Sequence, residues 1–341
     1  MRKLILIAVL AAVVVISLGC ISSPEKKQQN ESAVSAPMKM PGNVTNLRIG
    51  YQPSTHQIAE MVASAKGWWA EDLKPFGVVT IQEKEFQSGP PEMQGMLAGA
   101  LDIAYVGTAP PITAIAQGLD AKIVAAVNIN GSDLVLRPDI VYNGPKSLEG
   151  LSIGTFPPGS IQDIVMKKWL KDNNVNLSKI QIRGMGPGDA VTAIEAGKIN
   201  GVFLPHPSPT QIELDKDGRS VVQSGEMWPN HACCSLLISG KLLREHPDLV
   251  NQIIKTHIKA TNYVNANPEE AAKIFANKTK QNLTVVERSI KNWDGKWVSD
   301  PTIQIPSTVQ YAKIDKDLGY INKTLTEKDL FDTTFYGKAR A

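Results

Sequence analysis

Gly99-Ala-Leu-Asp-Ile-Ala-Tyr-Val-Gly-Thr-Ala-Pro-Pro111 is the stretch whose reading decides the fold. Ile103 to Val106 is a short apolar run bounded by turn residues, which reads as a strand. Gly107-Thr108 follows, and Pro110-Pro111 sit where a helix's first turn tolerates a missing N–H. A strand that feeds a helix through a short junction is half of a βαβ unit. The same signature recurs on both sides of this segment.

Upstream, Leu47 to Tyr51 predicts a strand, and Pro53-Ser-Thr55 starts a helix running to about Lys66. Val78 to Glu85 predicts a second strand and Pro91 to Ala98 a helix. Downstream, Pro110 to Gln117 predicts a helix and Lys122 to Val127 a strand. After a turn-rich passage from Pro138 to Leu151, a second set begins. It holds strand Leu151–Phe156, helix Ser160–Asp172, strand Lys179–Arg183, helix Asp189–Ala196 and strands Gly201–Leu204 and Ser220–Gln223. Alternating strands and helices of this kind predict an α/β fold with mostly parallel sheets. Ser235 to Ser239 is one more strand. From Lys241 onward the pattern is helical: apolar residues at Val250, Ile253, Ile254, His257, Ile258 and Tyr263 keep close to a 3.6-residue period. Pro268, Leu283 and Ser307 open further helices, and all of these need a sheet to cover.

The N-terminus is of another kind. Arg2-Lys3, an apolar run from Leu4 to Ile16 and Ser17-Leu18-Gly19-Cys20 read as an export signal. The apolar run is shorter than the ~20 residues a membrane-spanning helix needs. Leu-Gly-Cys is the pattern of a lipoprotein cleavage site, with Cys20 as the lipidated first mature residue; an uncleaved anchor helix is the alternative. Either way the protein is expected at the cell membrane, held on its extracytoplasmic face. Residues 21–46 are rich in Ser, Pro, Lys, Gln and Asn and predict a flexible tether. The remaining body is long enough for two domains. Net charge is only +3 in 341 residues, and no basic block interleaves with aromatics, which argues against nucleic acid as a partner. Only Cys233 and Cys234 remain in the body, so no disulfide framework holds it together.

Several strand-to-helix junctions carry small or hydroxyl residues: Ser54-Thr55, Gly107-Thr108, Gly159-Ser160 and Gly188-Asp189. In parallel α/β sheets such junctions lie at the carboxyl ends of strands, where ligands bind. Helix starts there offer unpaired N–H groups and the positive end of the dipole, enough to hold an anion without a fixed cation. Ser, Thr and Asp are also ordinary N-caps, and Asp189 above all fits that role because its carboxylate would repel an anion. Ser54, Thr55, Thr108 and Ser160 are better placed for direct contact. His206, between Pro205 and Pro207 beyond a strand end, can donate to an anion; a surface loop histidine is the alternative. Arg183 at another strand end could pair with an oxyanion or simply be exposed.

Gly99-Ala-Leu-Asp102 with Tyr105-Val-Gly-Thr-Ala-Pro-Pro111 resembles the substrate-binding proteins of nitrate-, sulfonate- and taurine-type ABC importers. Four further stretches follow the family in order: Arg48-Ile-Gly-Tyr51, Ser152-Ile-Gly-Thr-Phe156 with Gly159-Ser160, Gly188-Asp189-Ala190, and Gly197-Lys-Ile-Asn-Gly-Val202. Where many relatives have a Trp-Asp/Glu-Pro sequence after the strand ending at Leu204, this chain reads Pro205-His-Pro-Ser-Pro209. The resemblance implies a two-lobed, type II periplasmic-binding-protein fold. Residues 47–129 and 230–341 would build one lobe and 130–229 the other, with two crossing strands between them. It implies a monomeric, cofactor-free binding protein rather than an enzyme. Such a protein passes a small anionic or zwitterionic solute to a membrane permease and its ATPase subunit.

In that fold His231-Ala-Cys233-Cys234 falls on the second crossing. Adjacent Cα atoms lie about 3.8 Å apart, below the roughly 4.4–6.8 Å usual for a disulfide. Zinc sites usually space cysteines by two to four residues. Strand alternation puts Cys233 and Cys234 on opposite faces, so one of them meets core while His231 and Cys233 are candidates for the ligand pocket. Two rival functions remain. One is a metal or metal-chelate receptor using His206, His231, Cys233 and Cys234. The other is a membrane-anchored pyrimidine-precursor enzyme of the same fold, with chemistry at His231 and Cys233.

Overall fold

The structure, a computed structural model, describes residue 42 and residues 44–341. The expected export signal, Cys20 and the tether, apart from residues 42 and 44–46, lie outside the described residues. Among the described residues no helix is long and apolar enough to cross a membrane.

Two sheets organise the body. The first contains β1 (Asn46–Tyr51), β2 (Thr80–Glu85), β3 (Ile103–Gly107) and β4 (Ala121–Ile129). The chain then crosses to the second, which holds β5 (Ser132–Leu136), β6 (Ser152–Thr155), β7 (Gln181–Gly184), β8 (Gly201–Pro205) and β9 (Arg219–Gln223). It returns to the first as β10 (Ala232–Ser239) and ends there with β11 (Lys296–Trp297). The strand orders are β11-β4-β10-β3-β1-β2 and β7-β6-β8-β5-β9. Every residue of β3 is buried, because β1 and β10 pair with its two edges and helices cover both faces.

Both sheets are mixed rather than mostly parallel. β10 runs antiparallel to β3 and β4, and β5 runs antiparallel to β8 and β9. A strand that enters a sheet directly from the neighbouring sheet does not pass through a crossover helix, so it need not share the parallel direction. β5 has no apolar signature at its start, where Ser132 and Asp133 stand, yet all five of its residues are buried. Tertiary partners hold those polar side chains in place: Gln162 Nε2 donates to Ser132 Oγ (3.1 Å) and Ser220 Oγ to Asp133 Oδ2 (2.7 Å).

The C-terminal helices cover the first sheet. The Pro247–Ala266 helix buries Leu249, Val250, Ile253, Ile254, His257 and Val264 along one face and packs on the Ile58–Ala65 helix. The Ile305–Asp317 helix touches β10, the Ala109–Ala116 helix and the Ile161–Asp172 helix, so it braces elements of both sheets.

Candidate functional site

The carboxyl ends of strands from the two sheets face each other. Gln52, Pro53 and Ser54 after β1 and Gln87 after β2 meet Phe156 after β6, Pro187 at a helix start and Pro205 to Ser208 after β8. The cavity they enclose is only about 10 Å³, and no Lys or Arg lines it. A volume of that size has room for about one water molecule, too little for a solute.

Contacts across this gap pair the expected residues. Thr55 is fully buried, and its N–H and Oγ1 both donate to the His206 carbonyl at 3.1 Å. At the other pair of junctions, a Cβ built on Gly107 would stand 3.3 Å from Ile161 Cγ1, so Gly107-Thr108 abuts Ser160-Ile161. Thr108 donates its N–H to the Cys233 carbonyl (2.8 Å), and its hydroxyl lies 2.7 Å from Ser235 Oγ. Ser160 caps the Ile161–Asp172 helix, its Oγ accepting from the Asp163 N–H at 3.3 Å. Capping uses the oxygen and leaves the hydroxyl proton free to donate.

His206 is buried, not a surface histidine. Its Nδ1 lies 2.8 Å from Ser289 Oγ and its Nε2 3.2 Å from Asp133 Oδ1, which ties a C-terminal helix (Leu283–Asn292) to the second sheet. Trp293 packs between the rings of His206 and His56, with centroids 6.2 and 5.5 Å away. Asp189 lies exposed in the first turn of the Pro187–Glu195 helix and does not line the cavity. Arg183 is also exposed and bonds Gln181.

His231 lies apart from these residues. It is fully buried beside the Ile305–Asp317 helix, with Nδ1 3.1 Å from the Tyr311 hydroxyl, which itself donates to the Ala232 carbonyl. Burial pushes its pKa down to about 4, although the Ala232 carbonyl pulls the other way. The four-residue metal set of His206, His231, Cys233 and Cys234 is therefore not assembled. Both cysteines are free and buried, and both approach a residue that the sequence reading passed over. Cys233 Sγ is 3.1 Å and Cys234 Sγ 4.0 Å from His56 Nδ1. Opposite-face alternation fails here because β10 bulges. Ala232 pairs with Ile129 and Cys234 with Asn128, leaving Cys233 as an extra residue that turns its side chain toward the same imidazole. His56 stands directly after Ser54-Thr55, in the Thr55–Gln57 turn that follows β1, which is the only hint the sequence offered.

Residues 40–277 match the NMT1-like family. The chain is 26% identical over 297 residues to the "Putative aliphatic sulfonates-binding protein" of Bacillus subtilis (strain 168), covering 86% of this chain and 87% of that one. Among solved structures it superposes on the alkanesulfonate-binding protein SsuA from Xanthomonas axonopodis pv. citri with a TM-score of 0.75 at 19% identity, covering 85% and 99% of the two chains. The periplasmic nitrate-binding protein NrtA from Synechocystis PCC 6803 gives the same TM-score at 16% identity, over 87% and 88%. The protein is a member of the NMT1-like family with the α/β fold of the periplasmic binding proteins.

Proposed function

We propose that this protein is the solute-binding lipoprotein of an ABC importer. Cys20 anchors it on the extracytoplasmic face of the membrane, and residues 21–46 tether the body. Residues 47–129 with 230–341 act as one lobe and residues 130–229 as the other. They close on a small anionic or zwitterionic solute of the sulfonate, nitrate or taurine kind and present it to the permease. No catalytic step is required, because closure itself provides selectivity.

The observation that carries this reading is the meeting of strand ends from two sheets around a cavity without Lys or Arg. Ser54, Thr55, Gly107, Thr108 and Ser160 are the groups proposed to receive the solute, with His206 at the rim. Ser54 and His206 line the closed cavity, and the Thr55 and Thr108 donors would exchange their present carbonyl partners for solute as the sheets part. N–H groups and hydroxyls at helix starts suit a spread negative charge, and they need no fixed cation to do so. The sulfonate- and nitrate-binding names of the relatives support the same class of solute.

The test is a thermal-shift and calorimetric panel on the purified full chain with alkanesulfonates, taurine, nitrate and pyrimidine precursors. One member is expected to raise the melting temperature and to shrink the radius of gyration in solution scattering. A panel in which nothing binds or changes the shape would sink the proposed solute class. Turnover of a pyrimidine precursor by the isolated chain would replace it with the enzymatic alternative.

A further inference from the structure

His56, Cys233 and Cys234 are all buried, and one donor atom from each lies within 4.8 Å of the other two. Tetrahedral zinc, with Zn–S near 2.3 Å and Zn–N near 2.05 Å, places sulfur and nitrogen about 3.6 Å apart. The two separations observed here, 3.1 and 4.0 Å, bracket that distance.

The imidazole is also held as a metal ligand would be. Its Nε2 sits 2.6 Å from the Gly131 carbonyl, so that nitrogen carries the proton in the neutral ring and donates it. The Nδ1 lone pair is then aimed at the two sulfurs. A backbone carbonyl on the far nitrogen is the usual way of fixing a ligating histidine's tautomer. The backbone has been shaped for this contact: Gly131 has φ +93°, and a Cβ there would fall 2.8 Å from His56 Nε2 and from Trp293. The β10 bulge contributes the last element, since without it one sulfur would point away.

We propose that His56, Cys233 and Cys234 form a binding site for one thiophilic d10 cation, buried beside Gly131 on the crossing between the two sheets. Charge balance selects the divalent ion. Two thiolates and a neutral imidazole bring a Zn2+ site to zero net charge, whereas Cu+ would leave a net negative charge in a buried place. Any proton still on either sulfur passes to solvent on binding. Three protein donors leave a tetrahedral ion one open position, the arrangement of a site that accepts an exchangeable ligand.

The experiment uses the full chain in detergent, reduced, stripped of metal and titrated without oxygen with Co2+, Zn2+ or Cu+. About one equivalent of Co2+ is expected to bind with sulfur-to-cobalt charge-transfer bands and tetrahedral d–d bands, and Zn2+ should displace it. His56→Gln and Cys233→Ser should each weaken binding by about 100-fold or more, while His246→Gln, outside the cluster, should not. If those variants fail to fold, the wild type still decides: bound Zn2+ should slow alkylation of both thiols. Tight Cu+ binding without Zn2+ or Co2+ binding would keep the site and overturn the divalent assignment. Absence of charge-transfer bands together with equal alkylation rates with and without every metal would overturn the proposal. None of these readouts involves the solute, so failure here is distinct from failure of the importer reading.

Discussion

His231 and His257 are fully buried, and burial lowers both pKa values to about 4. In each case a backbone carbonyl, Ala232 or Ala126, opposes the shift without cancelling it. The unfolded chain takes up those protons near pH 6.5, whereas the folded chain resists until about 4. Their contribution is therefore fully present above pH 6.5 and is lost as pH falls toward 4. At pH 5 each should cost about 2 kcal/mol of stability. Urea unfolding of wild type and His257→Gln at pH 7 and pH 5 checks this: over that step the variant should lose about 2 kcal/mol less stability than wild type, and an identical change in both proteins would refute the assignment. The same scale shows what sequence reading missed. Cys233, Cys234 and His206 drew notice because their chemistry is visible in any sequence. His56 did not, because its sulfur partner stands 177 residues away and nothing local marks the pair.

At the scale of elements, the Ile161–Asp172 and Ile305–Asp317 helices meet through a charged cluster. Lys167 pairs with Asp163 at 2.6 Å, and the Tyr320 hydroxyl donates to Asp163 at 2.8 Å. Asp315 is buried close by with neither carboxylate oxygen hydrogen-bonded, and its pKa is pushed up to about 8, by burial first and by the charge of Asp163 second. Folding thus binds a proton that the unfolded chain releases near pH 4, so stability from this group is complete below pH 4 and lost as pH rises through 8. Asp315→Asn, which cannot ionise, should stabilise the protein by about 1–3 kcal/mol at pH 9 and by much less at pH 5. Chemical denaturation of both proteins at the two pH values measures the difference; equal effects would count against it. Element type was largely legible. The buried run of β3 and the amphipathic face of Pro247–Ala266 were predicted and are present. β5 and the β10 bulge were not, because Ser132, Asp133 and Cys233 owe their placement to partners on other elements.

For the whole molecule, both crossings between the sheets are held by one side chain. Asp294 accepts the Gly131 N–H at 2.8 Å, on the way out, and the Gly225 N–H at 2.5 Å, shortly before the return. Gly225 has no room for a Cβ, which would fall 2.5 Å from Asp294 Oδ2. Asp294→Ala would leave two poorly solvated donors and should cost about 2–4 kcal/mol. It should also favour separation of the sheets, read as a larger radius of gyration without solute; a compact, fully stable variant would disprove this role. The sequence by itself determined the α/β class, the order of the strand-to-helix junctions and the family, since each is written in local periodicity and short motifs. Only the tertiary structure decided which junctions face each other, that His231 packs beside Tyr311, and that His56 joins the two cysteines. Those outcomes depend on contacts between segments far apart in the chain, whose energies no local pattern records.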